Sequence, residues 1–138
     1  MRFLAALKFL TIIPLPSRLE PTPEEVGHSL AYFPVVGIII GLILAGLNWL
    51  LGLFLPPAVV AGLVLVFMVV ISGALHLDGF ADTCDGIAGH RTAEERLQVM
   101  RDSRVGAFAV IGVSLLLLVK YVLFNTLKML RHSIRVIF

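Results

Sequence analysis

The stretch HLDGFADTCDG, His76 to Gly86, places three aspartates within eight residues, directly after the eighteen uncharged residues Ala58 to Leu75. Asp78, Asp82 and Asp85 fall at i, i+4 and i+7, so at 3.6 residues per turn they share one narrow face of a helix continuing out of that apolar run. Clustered carboxylates repel one another, and at a membrane boundary they are also poorly solvated. Such a set either holds protons or is neutralised by a cation. Oxygen-only ligands favour hard ions, Mg²⁺ above all where phosphate supplies the remaining ligands. A solvated helix end with its acids facing water is the blander reading. Against it, the segment holds no Lys or Arg to pair with them, the nearest basic residue being Arg91. Gly79 weakens the helix but lets a ligand approach the backbone.

A second cluster, MRDSRVG (Met100 to Gly106), adds a fourth acid, Asp102, flanked by Arg101 and Arg104. A loop through Gly86 and Gly89 would fold this segment back on the first. Asp102 would then complete a metal cage, and the forked guanidinium groups of Arg101 and Arg104 would grip phosphate oxygens. A surface salt-bridge pattern is the competing account of the two arginines. His76 suits a structural role better than a ligand role, and His28, His90 and His132 have no partners suggestive of a site. Cys84, the one cysteine, lies off the acidic face and reads as packing, and Ser103 has no His–Asp partner to make it a nucleophile.

These residues need a scaffold, and composition says what kind. The chain has 138 residues, 59% hydrophobic and only 14% charged, with a mean hydropathy of +1.00. Soluble domains carry roughly 25% charged residues, so lipid is the expected solvent and the fold class is all-α, a single polytopic membrane domain. Residues 1–16 read as an interfacial helix, and 35–55 as a membrane span of about 31 Å, enough for a hydrocarbon core of about 30 Å. Pro56-Pro57 stops it, because neither residue donates a backbone hydrogen bond. The second span, 58–75, follows at once and makes a helical hairpin. Gly37, Gly41 and Ala45 repeat in the small-xxx-small pattern of close helix packing. Residues 76–104 form the polar site region. Within it, Thr92 and Glu95 fit a capping box that opens a short helix from Ala93 to about Arg104. A third candidate span covers 105–124, and 125–138 is an atypical basic tail.

Arg2, Lys8 and Arg18 precede the first span, Arg91, Arg96, Arg101 and Arg104 follow the second, and the Pro-Pro connection has none. The positive-inside rule therefore puts the N-terminus and the aspartates in the cytoplasm. The net charge of +2 suits that face and no basic block suggests nucleic acid. The tail conflicts with this pattern. Lys128, Arg131 and Arg135 would end outside if 105–124 crosses, yet at i, i+3 and i+7 they read as an amphipathic helix on a membrane surface.

HLDGFADTCDG followed by MRDSRVGAF resembles the signature of the cobalamin synthase (adenosylcobinamide-GDP ribazoletransferase) family. ALKFLTIIPLP and YFPVVGIIIGLILAGL resemble its N-terminal half, so the likeness runs from about Leu4 to Tyr121. The resemblance implies a polytopic inner-membrane enzyme that joins adenosylcobinamide-GDP to α-ribazole or its 5'-phosphate, releases GMP and requires Mg²⁺. It implies Asp78, Asp82 and Asp85 as ligands of Mg²⁺ and the diphosphate, and Asp102 as a fourth ligand or the base. Asp82 and Asp102 are thus the expected catalytic residues, with Arg101, Arg104 and Gly79 at the substrate. Family members are much longer, and the closing NTLKMLRHSIRVIF does not resemble their continuation, so a shortened chain with an incomplete pocket is expected.

The nearest alternatives are other Mg²⁺-dependent membrane transferases acting on diphosphate-activated substrates. CDP-alcohol phosphatidyltransferases share an Asp/Gly-rich motif, but Asp82 stands where their Arg follows Ala. Prenyltransferases carry two acidic motifs, and one is visible here. A cation transporter would place acids near mid-span, whereas these lie at one edge. An inactive truncated fragment is the remaining alternative. Homo-oligomer formation is compatible with the sequence, which does not fix the oligomeric state.

Overall fold

The computed structural model describes residues 2–14, 22–88 and 92–137. Arg18, Gly89, His90 and Arg91 lie outside the described residues, as do the side chains of Lys128, Arg131, His132 and Arg135. All regular structure among the described residues is helical, as the composition requires. The chain divides into two compact units, Met1–Gly73 and Ala74–Phe138.

The first unit opens with α1 (Arg2–Leu10). The helix expected over 1–16 closes early: Thr11 Oγ1 donates back to the Leu7 carbonyl at 2.7 Å, and Pro14 cannot continue a helix. Next come α2 (Pro23–Ser29), a 3₁₀ turn (Leu30–Tyr32) and α3 (Phe33–Leu51). Together they give a continuous helical run, Glu24–Leu51, long and apolar enough to cross a membrane. Thr22 and Glu25 start it with a capping box and Pro23 at its first turn. Ala6, Leu10 and Val36 form a small core between α1 and α3, with Phe3, Leu7, Phe33 and Ile40 packed on it. Outside that core the run is bare: Ile38 is 63% exposed, Leu42 68% and Trp49 67%. Such a surface suits lipid, not water.

The expected span 35–55 stops as an α-helix at Leu51, and turns carry the backbone donors of Leu53, Phe54 and Leu55 to the carbonyls of Leu50 and Leu51. α4 (Pro57–Ile71) follows, with Pro57 in its first turn, and packs against α3, so the hairpin forms. The small-residue repeat does not make its interface: a Cβ added at Gly37 or Gly41 would meet nothing within 4 Å.

The second expected span, 58–75, is not one helix. Ser72 Oγ donates to the carbonyls of Met68 (3.0 Å) and Val69 (3.1 Å), and Gly73 and Ala74 adopt φ of 59° and 58°. The left-handed conformation ends α4, as it does many helices. The Ile12 amide donates to the carbonyl of Ile71 at 3.0 Å, satisfying one acceptor that the end of α4 leaves free. The aspartates therefore sit on a new helix, not on a continuation of the span.

That helix is α5 (Leu75–Ile87), the first of the second unit, followed by α6 (Ala93–Met100) and α7 (Ala107–Ile137). At 15 and 13 residues α4 and α5 are each too short to cross alone. The residues Ala107–Leu127 of α7 are long and apolar enough. α7 passes without interruption through the boundary expected at 124/125, so the tail is a helical extension of the third span. Both α6 and α7 pack on α5.

Candidate active site

Asp78 and Asp82 are positioned locally, by the helix that carries them. α5 starts at the left-handed Ala74, with no side-chain cap. Asp78 stands in its first turn, where a negative charge is favoured by the partial positive charge of the helix end. Thr83 Oγ1 donates to the Gly79 carbonyl at 2.7 Å. Space beside Gly79 is open, as an approach to its backbone requires. Asp78 is exposed and Asp82 half-buried. Neither side chain has a hydrogen bond or ion pair among the described residues.

Asp85 differs. Its Oδ2 accepts from the Gly106 amide at 2.6 Å and its Oδ1 from the Ala109 amide at 2.8 Å. Both belong to the start of α7. The three aspartates share a helix face as expected, but seven residues of rise carry Asp78 about 10 Å along the axis from Asp85. A single ion cannot span that distance, and no group of three acidic, His or Cys side chains suited to a metal is gathered among the described residues.

The fold-back of the second cluster does occur. α6 begins with the expected capping box, the Thr92 amide donating to Glu95 Oε2 at 3.0 Å and the Glu95 amide to Thr92 Oγ1 at 3.3 Å. It lies close on α5, because a Cβ at Gly86 would come within 2.6 Å of the Met100 side chain. The helix ends at Met100, four residues before the expected Arg104. Asp102 turns the chain instead, its Oδ1 accepting from the Arg104 amide at 3.0 Å.

Asp102 does not join the other acids. Arg104 binds it in a fork, Nη2 to Oδ2 at 2.7 Å and Nε to Oδ1 at 3.1 Å. The Arg104 side-chain hydrogen bond holds the Asp102 carboxyl below its ordinary range, and the same bond raises Arg104. With side chains 37% and 89% exposed the pair is wet, and such pairs open at little cost. Arg101 is exposed, with no ion pair among the described residues. His76 is exposed on the first turn of α5. Cys84 packs as expected: a Cβ at Gly112 would lie 2.5 Å from its Sγ.

The sequence reading missed the frame of the site. Gly86, Gly106 and Gly112 mark where α6 and α7 press on α5. The signal for Gly106 and Gly112 was glycine recurring in VGAFAVIG; Gly86, expected in the loop, lies inside α5.

An Mg²⁺ ion commonly takes one or two protein carboxylates and completes its shell with water and substrate phosphate oxygens. Asp78 and Asp82, unpaired and one turn apart, fit that requirement without a cage. Among the described residues the unit thus offers an open carboxylate pair, an unpaired guanidinium and a second guanidinium in an easily opened pair. That set suits transfer of a phosphoryl group from a charged diphosphate.

No solved structure matches the chain significantly. Among curated proteins it is 48% identical over 119 residues to the adenosylcobinamide-GDP ribazoletransferase of Geotalea daltonii, covering 86% of this chain and 48% of that protein. It is 41% identical to the protein of the same name from Acetivibrio thermocellus, covering 93% of this chain and 52% of that protein. For the Clostridium botulinum relative the identity is 37%, with 98% and 54% covered. The chain therefore spans about half the length of the curated relatives it matches. The sequence model of cobalamin-5-phosphate synthase matches residues 2–138, and on that match, carried through the acidic motif and both of its flanking helices, the chain belongs to the cobalamin-5-phosphate synthase family.

Proposed function

We propose that the chain serves the transfer named for its relatives, joining adenosylcobinamide-GDP to α-ribazole or its 5'-phosphate with release of GMP. The observation that carries this is the unpaired carboxylate couple Asp78 and Asp82 on a helix of a chain in this family. A ribazole hydroxyl attacks the cobinamide-linked phosphorus, a new P–O bond forms, the bond to GMP breaks, and the hydroxyl proton passes to a base. Asp78 and Asp82 hold Mg²⁺, which when bound neutralises the diphosphate and the leaving GMP. Arg101 contacts phosphate oxygens, and Arg104 does so once released from Asp102. Asp102, freed by the same opening, accepts the proton. Gly79 leaves room for the substrate beside α5.

The reaction site faces the cytoplasm and the helices lie in the cell inner membrane, as the distribution of arginines about the first two apolar runs supports. The test is Mg²⁺-dependent GMP release by membranes containing the 138-residue chain, adenosylcobinamide-GDP and α-ribazole, with Asp82→Ala at equal abundance as control. Release that needs ribazole and disappears in the variant supports the reading. No release above the variant, while a full-length relative works alongside, sinks it.

A further inference from the structure

Two helices of this chain close their first turns with their own side chains. Thr22 with Glu25, and Thr92 with Glu95, form capping boxes at α2 and α6. α7 has no such equipment. Gly106 precedes the helix and its carbonyl accepts the first intrahelical bond, from Val110. Ala109 is the third helical residue, and neither side chain offers an oxygen. A capping box serves two donors, the amide of the capping residue and that of the third helical residue. Here those are the amides of Gly106 and Ala109, and Asp85 takes both, at 2.6 and 2.8 Å.

The fit is tight on every side. A Cβ at Gly106 would lie 2.5 Å from Asp85 Oδ1, so the position needs glycine for this contact. Ala109 is 1% exposed, so its amide has little recourse to water if the carboxylate is removed. A negative charge at this end of α7 is also favoured by the helix dipole.

We infer that Asp85 is a positioning residue and not a metal ligand. It supplies across 21 and 24 residues the capping box that α7 lacks. It thereby fixes the start of α7 on α5, and with it the chain just ahead that carries Asp102 and Arg104. The cap stands on geometry alone; its consequence for turnover rests on the proposed transferase reading.

The test is thermal unfolding of the full 138-residue chain in detergent with EDTA present. Asp85→Ala lowers the midpoint by about 3–8 °C, the range expected for a lost cap. Asp78→Ala and Asp82→Ala leave it within about 1 °C. Gly106→Ser lowers the midpoint in the parent, where it meets the Asp85 carboxylate. Added to Asp85→Ala, it supplies a local cap and restores at least half of the loss. GMP release follows the same rescue, with the Mg²⁺ requirement of the double variant within about twofold of the parent, which a lost ligand would not permit.

An unchanged midpoint in Asp85→Ala, or no rescue by Gly106→Ser, overturns the cap. Rescue of stability with turnover still lost and a tenfold higher Mg²⁺ requirement makes Asp85 a ligand and overturns the inference. A parent chain that releases no GMP sinks the proposed reaction, and the EDTA melting series then decides the role of Asp85 by itself.

Discussion

Arg104 closes on Asp102 as a fork, with Nη2 2.7 Å from Oδ2 and Nε 3.1 Å from both carboxylate oxygens. The pair ties up one acid and one base of the second cluster. Both are outside the membrane-spanning segments and wet, so the tie costs little to open.

The pair sets a pH dependence. Its hydrogen bonds to Arg104 lower the Asp102 carboxyl from the ordinary aspartate value. The stabilisation is therefore complete above the unfolded value of about 3.9 and disappears as pH falls through the lower folded value. Arg104→Gln moves protonation of Asp102 upward, toward the ordinary range. A carboxyl carbon NMR titration of the chain in detergent, with and without the substitution, measures this. Identical titrations would mean that the fork does not form.

On the proposed reading, metal dependence is expected to separate the two clusters. Asp78→Ala and Asp82→Ala are expected to reduce Mg²⁺-dependent GMP release by about 100-fold or more, beyond the usual effect of an outer-shell partner. Raising Mg²⁺ recovers part of the loss. Arg101→Ala is expected to raise the KM for adenosylcobinamide-GDP while leaving the Mg²⁺ requirement near that of the parent. Steady-state kinetics over a Mg²⁺ series checks both.

The contact of α5 with α7 predicts a sign reversal. A Cβ at Gly112 would lie 2.5 Å from Cys84 Sγ and 3.4 Å from the Phe80 ring. Gly112→Ala should cost about 1–3 kcal/mol as overpacking, partly offset by about 1 kcal/mol of better helix propensity. In a Cys84→Ala background the same change becomes neutral or stabilising. Thermal unfolding of the four chains in detergent gives the coupling directly.

The end of α4 gives a separate prediction within the first unit. Gly73 has φ 59°, and a Cβ there would come within 2.8 Å of Ile12 Cγ2. Gly73→Val should destabilise by at least about 1–2 kcal/mol, the cost of a left-handed L-residue, before the clash with Ile12 is counted. The midpoint of thermal unfolding reads it, and an unchanged midpoint would show that the turn relaxes freely.

Much of this protein was legible in one dimension. Continuous apolar runs cannot fold in water, so an all-helical membrane fold follows from composition alone. The Thr92–Glu95 box was readable because a cap and its partner lie three residues apart and the bond is local. The acidic face was readable for the same reason, since helix periodicity fixes which side of α5 holds Asp78, Asp82 and Asp85. Only the tertiary structure decided what Asp85 meets, because its partners are distant in sequence. Asp85 meets amides 21 and 24 residues away and becomes a cap. Asp102 turns to Arg104 because a bend after Met100 brings the two together. The break at Gly73 and Ala74 was hidden as well: glycine favours a left-handed backbone but also recurs inside the apolar helices, and alanine does not signal it. Spacing can assign a residue to a face, but only packing determines what that face meets.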